Sequence, residues 1–230
     1  MPDAADLVAT IDAPLSPEIL AHAEALGNDY IRIYEFVKNN IQTQWYAGSM
    51  KGAVGTLRQR SGNDVDQANL LIALFRASGL ASRYVHGVIE LPIEAVMDSL
   101  GLANANQAIR ALGQAGVAHS PVIRGGRVVA VNVAHTWVSA YVPYTNYRGA
   151  LVDTSGSIWL PLMPAMKSYQ VQAASGLFQQ AGLAADDFVD NYLQKPQSQD
   201  LLEQIVEQVN DYLLQNQSDT KLASQLGNIK

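Results

Sequence analysis

The stretch SGNDVDQANLLIALFRASGLASRYVHG, residues 61–87, decides the fold because it joins a long helix to the first strand of a sheet. Its apolar residues recur at about 3.6 positions, the spacing of one helix face. They are Ala68, Leu71, Ile72 and Phe75. Gly79 is suited to end this helix, and SRYVHGVIEL, which follows, is rich in β-formers. We therefore predict a buried helix that leads straight into a strand.

The start of this helix carries two acidic residues. Asp64 is predicted to be the N-cap, and Gln67, three positions later, would complete a capping box. A carboxylate there also complements the positive end of the helix dipole. This structural role is the first explanation of Asp64.

The rest of the chain indicates an α+β protein. Helical patterns precede the central helix, and mainly consecutive strands follow it, so the order is not an alternating βαβ one. A helical hairpin is predicted at about residues 92–117, inserted between two strands. The core is expected to occupy residues 1–167, with a helical C-terminal extension over residues 168–230.

Composition narrows the functional classes. Hydrophobic residues make up 48% and charged residues 16%, against roughly 25% charged in an average domain, which favours a well-buried core. The net charge of −6 argues against nucleic acid as a partner. The chain has no apolar run of about 18 residues, so no membrane span is predicted. The N-terminal residues lack the basic region of a signal peptide. The compartment stays open, and export as part of a larger cell-surface protein is compatible with it.

The chain contains no cysteine. Disulfides, zinc sites built from thiolates and cysteine nucleophiles are therefore excluded.

Four ordered motifs resemble a known family. A Gly-x-x helix start comes first, then A-x-LL-x-A-L-x-R-A-x-G-x-x-x-R-Y-V-x-G, then H-x-W-V-x-A-Y, and finally W-x-x-L-x-P. Together, over residues 30–167, they resemble a transglutaminase-like domain, most closely those of bacterial multidomain proteins. The resemblance implies a papain-like fold, with a central helix packed on an antiparallel sheet. It also implies a nucleophilic Cys at the helix start, a His on a strand that activates it, and an Asp on the next strand that orients the His.

Only one of these three positions keeps its residue type. The resemblance places the nucleophile at Asp64, the base at His135 and the orienting acid at Met163. Asp153 is an alternative orienting acid if the strands are shifted, but Trp159 anchors the alignment that gives Met163. A carboxylate is a poor nucleophile toward amides and would give an anhydride, so thiol-type transglutaminase or protease activity is not expected.

Three hypotheses follow. The first is a catalytically inactive transglutaminase-like module that binds a peptide or a neighbouring domain. The second is a hydrolase in which Asp64 and His135 activate water or hold a metal, and the third is a purely structural domain. An Asp64–His135 ion pair that holds the old site shut is compatible with the first and third.

Further side chains are candidates for binding a peptide or a metal. The tryptophans Trp45, Trp137 and Trp159 could line a peptide cleft, although core packing is the better explanation. The set Asp64, Asp66, His86 and His135 matches no known metal motif, so neither a metal nor another cofactor is expected.

Overall fold

The computed structural model describes residues 2–143, 156–167, 171–172, 181–183, 193, 201–216 and 228–229. It divides into two compact units, Met1–Lys167 and Ser168–Lys230. In the first unit, a 3-10 turn at Ala4–Asp6 precedes six helices: α1 (Pro17–Ala25), α2 (Tyr30–Asn40), α3 (Gly52–Gln59), α4 (Asp64–Ala77), α5 (Ile93–Leu100) and α6 (Ala105–Gln114). Its strands are β1 (Gln42–Thr43), β2 (Ser61–Gly62), β3 (Ser82–Pro92), β4 (His119–Arg124), β5 (Arg127–Pro143) and β6 (Ser157–Leu162).

Helix α4 is the centre of the main core. Every residue from Asp66 to Arg76 is buried, because α1, α2 and α3 cover one side and the sheet covers the other. The sheet contributes Val138, Ala140 and Val142, alternate residues of β5 that share one face. A buried helix on an antiparallel sheet confirms the predicted α+β fold.

The N-cap of α4 lies one residue earlier than predicted. Asn63, not Asp64, is the N-cap, since the Asp66 N–H donates to its side-chain oxygen at 2.9 Å. The Asn63 amide also donates to the carbonyls of Tyr46 and Gly48, both at 2.8 Å. An asparagine can accept and donate at once, whereas an aspartate only accepts, so Asn63 suits a cap that must also hold a loop. Asp64 is instead the first helical residue, and the predicted capping box is wrong.

Strand β5 organises the sheet, which runs β3-β5-β4 with β6 also paired to β5. Strand β3 pairs with β5 from Ala130 to Ala140. On the other edge β4 reaches only as far as Val133, and β6 pairs only from Val138 onward. That edge therefore has a gap between the ends of β4 and β6.

Two local features were correctly predicted. Gly125 and Gly126 join β4 to β5, both with positive φ, 57° and 75°, as a two-residue hairpin of the I′ type requires. Helices α5 and α6 form a hairpin between β3 and β4, and they bury Val131 and Val133 in a second core cluster.

In the second unit, the described elements are β7 (Val171–Gln172), α7 (Leu201–Asn216) and β8 (Asn228–Ile229). Val209 and Leu213 of α7 are buried with Ala181 and Leu183. The antiparallel pairing of β7 with β8 was not predicted from the helical pattern of this segment. Among the described helices of the chain, none is long and apolar enough to cross a membrane.

Candidate functional site

The carboxylate of Asp64 fills the gap in the sheet. Alternate residues of a strand direct their N–H groups to the same edge. The N–H groups of Ala134 and Thr136 therefore both point to the edge of β5 that has the gap. The Ala134 N–H donates to the Ala118 carbonyl at 2.9 Å. The Thr136 N–H donates to Asp64 Oδ2 at 2.6 Å. The carboxylate thus stands where a neighbouring strand would otherwise supply a carbonyl.

His135 lies beside the same carboxylate. Its Nδ1 is 3.4 Å from Asp64 Oδ2, and its side chain is only 2% exposed. Burial lowers the pKa of His135, and the Asp64 charge, which acts in the opposite direction, does not overcome it. The imidazole is therefore favoured in its neutral form at pH 7. The expected ion pair is better described as a carboxylate next to a neutral imidazole.

The second ring nitrogen of His135 has no partner among the residues that the structure describes. Its Nε2 atom is buried and makes no hydrogen bond to any residue that the structure describes. The Asp64 carboxylate, which faces Nδ1, favours the tautomer with the proton on Nδ1, and this leaves Nε2 as an unfilled acceptor. A buried polar atom without a partner costs stability, so this nitrogen marks a place where the site is incomplete.

Met163 stands where the orienting acid was expected. Strand β6 ends at Leu162, which pairs with Val138, so Met163 is the first residue after the strand. If the register continued by one residue, Met163 would be opposite Trp137, which shares a strand face with His135. A thioether is a weak acceptor, which is consistent with the unpaired Nε2 of His135. The alternative acid, Asp153, lies outside the described residues.

The cleft around His135 is narrow. Its cavity volume is about 20 Å³, room for one or two water molecules and too little for a peptide side chain. It is lined by Thr43, Gln44, Trp45, Tyr46, Asn63, Asp64, Val117, Ala134, His135, Ala165 and Met166.

One wall of the cleft is the segment that follows β6. The Thr43 hydroxyl donates to the Ala165 carbonyl at 3.0 Å. The Lys167 ammonium donates to the carbonyls of Val37 and Lys38 at the end of α2. Burial, aided by the neighbouring Lys38 charge, lowers the pKa of Lys167 to about 8. These contacts fasten the segment across the cleft.

The three tryptophans lie in different surroundings. Trp45 lines the cleft, and its indole N–H donates to Ser99 Oγ at 3.0 Å. Trp137 stacks beside His135, with 6.4 Å between ring centroids, and covers Gly87 of β3. Trp159 instead lies under Arg83, whose guanidinium is 3.8 Å from the ring centroid. The expected cleft lining therefore involves Trp45 directly and Trp137 only as a neighbour of His135.

The four candidate metal ligands do not converge on one point. They are Asp64, Asp66, His86 and His135. His86 Nδ1 is 2.9 Å from Thr136 Oγ1, whereas Asp66 is directed into a loop. In the described part of the chain, no group of three or more acidic or histidine side chains has the arrangement of a metal site.

Asp66 has a role that the sequence pattern did not reveal. It is fully buried and accepts from the N–H groups of Met50, Lys51 and Gly52 at 2.9–3.3 Å. The Tyr46 hydroxyl also donates to it, at 2.6 Å, and burial together with this bond raises the pKa of Tyr46. The carboxylate thus shapes the loop before α3 that supplies Tyr46 to the cleft. Two acids at the first and third positions of one helix were the available signal.

The family resemblance agrees with an independent comparison. A family model, described as the transglutaminase-like superfamily, matches residues 14–163, which is well over half of the chain. The matched region includes Asp64, His135 and Met163. No curated protein and no solved structure matches the chain significantly.

Proposed function

The chain belongs to the transglutaminase-like superfamily, and from this premise we propose that it is a catalytically inactive module of that superfamily. In this proposal it serves a larger protein by binding a peptide or a neighbouring domain. Asp64 holds the former nucleophile position closed, and His135 has no chemical task.

One observation carries the proposal: the carboxylate of Asp64 is already committed. Its Oδ2 accepts the Thr136 N–H at 2.6 Å, and the chain offers no thiol to replace it. Acyl transfer from a glutamine amide needs a nucleophile that attacks the carbonyl and leaves again. A carboxylate that completes a sheet is a weak nucleophile, and its displacement would leave a buried N–H unpaired.

The state of the cleft supports the same conclusion. A volume of about 20 Å³ does not admit the extended chain that an amide substrate would present. Binding in this proposal therefore uses surfaces outside the cleft. The narrow cleft also supports the purely structural alternative, and only a binding partner separates the two.

The direct test is an assay of the unmodified protein. Amine incorporation into a glutamine peptide should not exceed the background of the His135→Ala variant, with or without calcium. Turnover that resists iodoacetamide and disappears in Asp64→Ala would contradict the proposal.

A second test asks whether the site is disarmed rather than rebuilt. In the double variant Asp64→Cys, Met163→Asp, the new thiol lies at a helix N-terminus beside His135, and the new acid can hold the imidazole tautomer. We expect it to react with iodoacetamide near pH 6 faster than Asp64→Cys alone. Glu94→Cys, at the first turn of α5, is the matched control, because it offers a helix N-terminus without a histidine. If neither variant at position 64 reacts faster than the Glu94→Cys control, His135 is not directed at that position.

A hydrolase is the second candidate, and the unpaired Nε2 of His135 favours it. A neutral, buried imidazole beside a cavity that holds one water molecule could act as a general base. The test is hydrolysis of an activated ester. Activity that is lost in His135→Gln, is retained in the surface variant Arg124→Gln and requires a neutral histidine would support this candidate over the first.

A further inference from the structure

A groove between α1 and α3 is separate from the cleft. Its volume is about 420 Å³, and it shares no lining residue with the cleft around His135. Its apolar lining residues, which we call its apolar floor, are Ala21, Ala25 and Leu57, and Arg58 and Arg60 also line it. The groove therefore combines room for an aliphatic side chain with cationic groups at its edge.

The two arginines of the groove differ in their partners. Arg58 is paired with Glu18, with its Nε and NH2 groups 2.7–3.2 Å from the carboxylate oxygens. The guanidinium of Arg60 lies over the Phe36 ring, 4.9 Å from its centroid. No residue that the structure describes accepts a hydrogen bond from it. Since Arg58 and Glu18 cancel, the groove has one unbalanced positive charge at neutral pH, that of Arg60.

Arg60 is also held in place. Its backbone has a φ of 54° at the end of α3, and its carbonyl accepts the Gln42 N–H at 2.8 Å, next to the β1–β2 pairing. Stacking on Phe36 restricts the guanidinium further. A cation that is already ordered loses little conformational entropy when a ligand binds, and a planar guanidinium can bind a carboxylate through two parallel hydrogen bonds.

We propose that this groove binds an acidic peptide side chain, with Arg60 donating to its carboxylate and the apolar floor contacting its methylene groups. The unbalanced charge matches a single carboxylate, and the Arg58–Glu18 pair beside it is the same kind of contact made within the chain. A phosphate group carries nearly two negative charges at neutral pH, which one unbalanced arginine does not neutralise. This site is separate from the cleft around His135, and the proposal does not depend on whether that cleft is inactive.

His22, on the wall of the groove, gives a local readout. Burial lowers its pKa first, the Arg60 charge lowers it further, and Glu18 acts in the opposite direction. A bound carboxylate would offset the Arg60 charge, so the pKa of His22 should rise when the groove is occupied.

The experiment is an NMR titration of the His22 ring with a blocked peptide that contains two glutamates, at low ionic strength. A blocked peptide with glutamines in their place is the matched ligand. We expect saturable shifts and a raised His22 pKa with the glutamate peptide only. The variant Arg60→Gln should bind about tenfold more weakly or worse, since hydrogen bonds to charged groups contribute on this order.

Two further variants separate charge from geometry. Arg124→Gln removes an equal charge elsewhere, and its binding should match that of the unmodified protein. Arg60→Lys keeps the charge but not the planar group, and it should bind with intermediate strength. Equal binding of the glutamine peptide, undiminished binding by Arg60→Gln, or equally tight binding of inorganic phosphate would overturn the proposal.

Discussion

Replacement of Asp64 by alanine tests the idea that this carboxylate completes the sheet. The Thr136 N–H would lose its acceptor in a buried position, which costs about 1–3 kcal/mol. The helix would also lose a negative charge at its N-terminus, worth about 0.3–1 kcal/mol. Because the Asp64 side chain is only 19% exposed, water can replace the lost contact only in part. We expect the free energy of unfolding to fall by about 1–4 kcal/mol.

Two further variants isolate the contact with Thr136. Asp64→Asn keeps an oxygen that can accept the N–H but removes the charge, so it should cost about 1 kcal/mol. Glu94→Ala removes an exposed acid from the first turn of α5, so it should lose only the dipole contribution of about 0.3–1 kcal/mol. The difference between Asp64→Ala and Glu94→Ala therefore measures what the sheet contact adds.

Urea unfolding followed by tryptophan fluorescence is the appropriate measurement. All three tryptophans, Trp45, Trp137 and Trp159, lie in the unit Met1–Lys167, so their signal reports on that unit. Amide hydrogen exchange provides a local check, because the Thr136 amide should lose protection in Asp64→Ala and keep it in Glu94→Ala. If Asp64→Ala is no more destabilising than Glu94→Ala and the Thr136 amide stays protected, the carboxylate does not fill the gap.

Three other predictions follow from single contacts. A Cβ on Gly87 would lie 2.7 Å from the Trp137 ring, so Gly87→Ala should cost about 1–3 kcal/mol and shift the tryptophan emission, whereas Gly156→Ala, which has open space around it, should do neither. Asp66→Asn replaces an acceptor of several N–H groups by an amide that must direct its own donors at them, so urea unfolding should reveal a loss of about 1.5–3 kcal/mol. Because the pKa of His135 is lowered in the folded state, the unfolded chain takes up a proton first as the pH falls. The free energy of unfolding should therefore fall as the pH drops below about 6.5 and level off below the folded-state pKa. The variant His135→Gln should lack this part of the pH dependence.

The central helix and its packing could be predicted from local pattern. Apolar residues at helical spacing predicted α4, and the Gly125–Gly126 pair predicted the hairpin, because both depend on neighbours in sequence. The position of the N-cap could not be chosen, since Asn63 and Asp64 are both good cap residues. The N-cap is Asn63 because its amide donates to the carbonyls of Tyr46 and Gly48, which lie in the loop before α3.

The proximity of Asp64 and His135 was predictable, but the state of the two groups was not. The family resemblance put Asp64 and His135 together, and 3.4 Å separates them. The gap in the sheet depends on where β4 and β6 end along β5, and no sequence pattern gives the relative ends of strands so far apart. The burial that lowers the pKa of His135 also arises only from tertiary packing. Likewise, the contact between Arg60 and the Phe36 ring depends on tertiary packing and has no signature in the sequence.

On the proposal that the site is inactive, its features reinforce one another. A thiol is a weak acceptor, so a cysteine at position 64 would leave the Thr136 N–H poorly satisfied, whereas a carboxylate satisfies it well. Once that carboxylate is bound to the sheet, an acid behind His135 is not needed to prepare an attack, and an apolar Met163 adds no second buried charge. A neutral His135 is then the cheaper state, because an imidazolium in this position would have to be desolvated. If the proposal holds, a reactive thiol at position 64 requires both Asp64 and Met163 to change, and Asp64→Cys alone should lower stability without producing an efficient nucleophile.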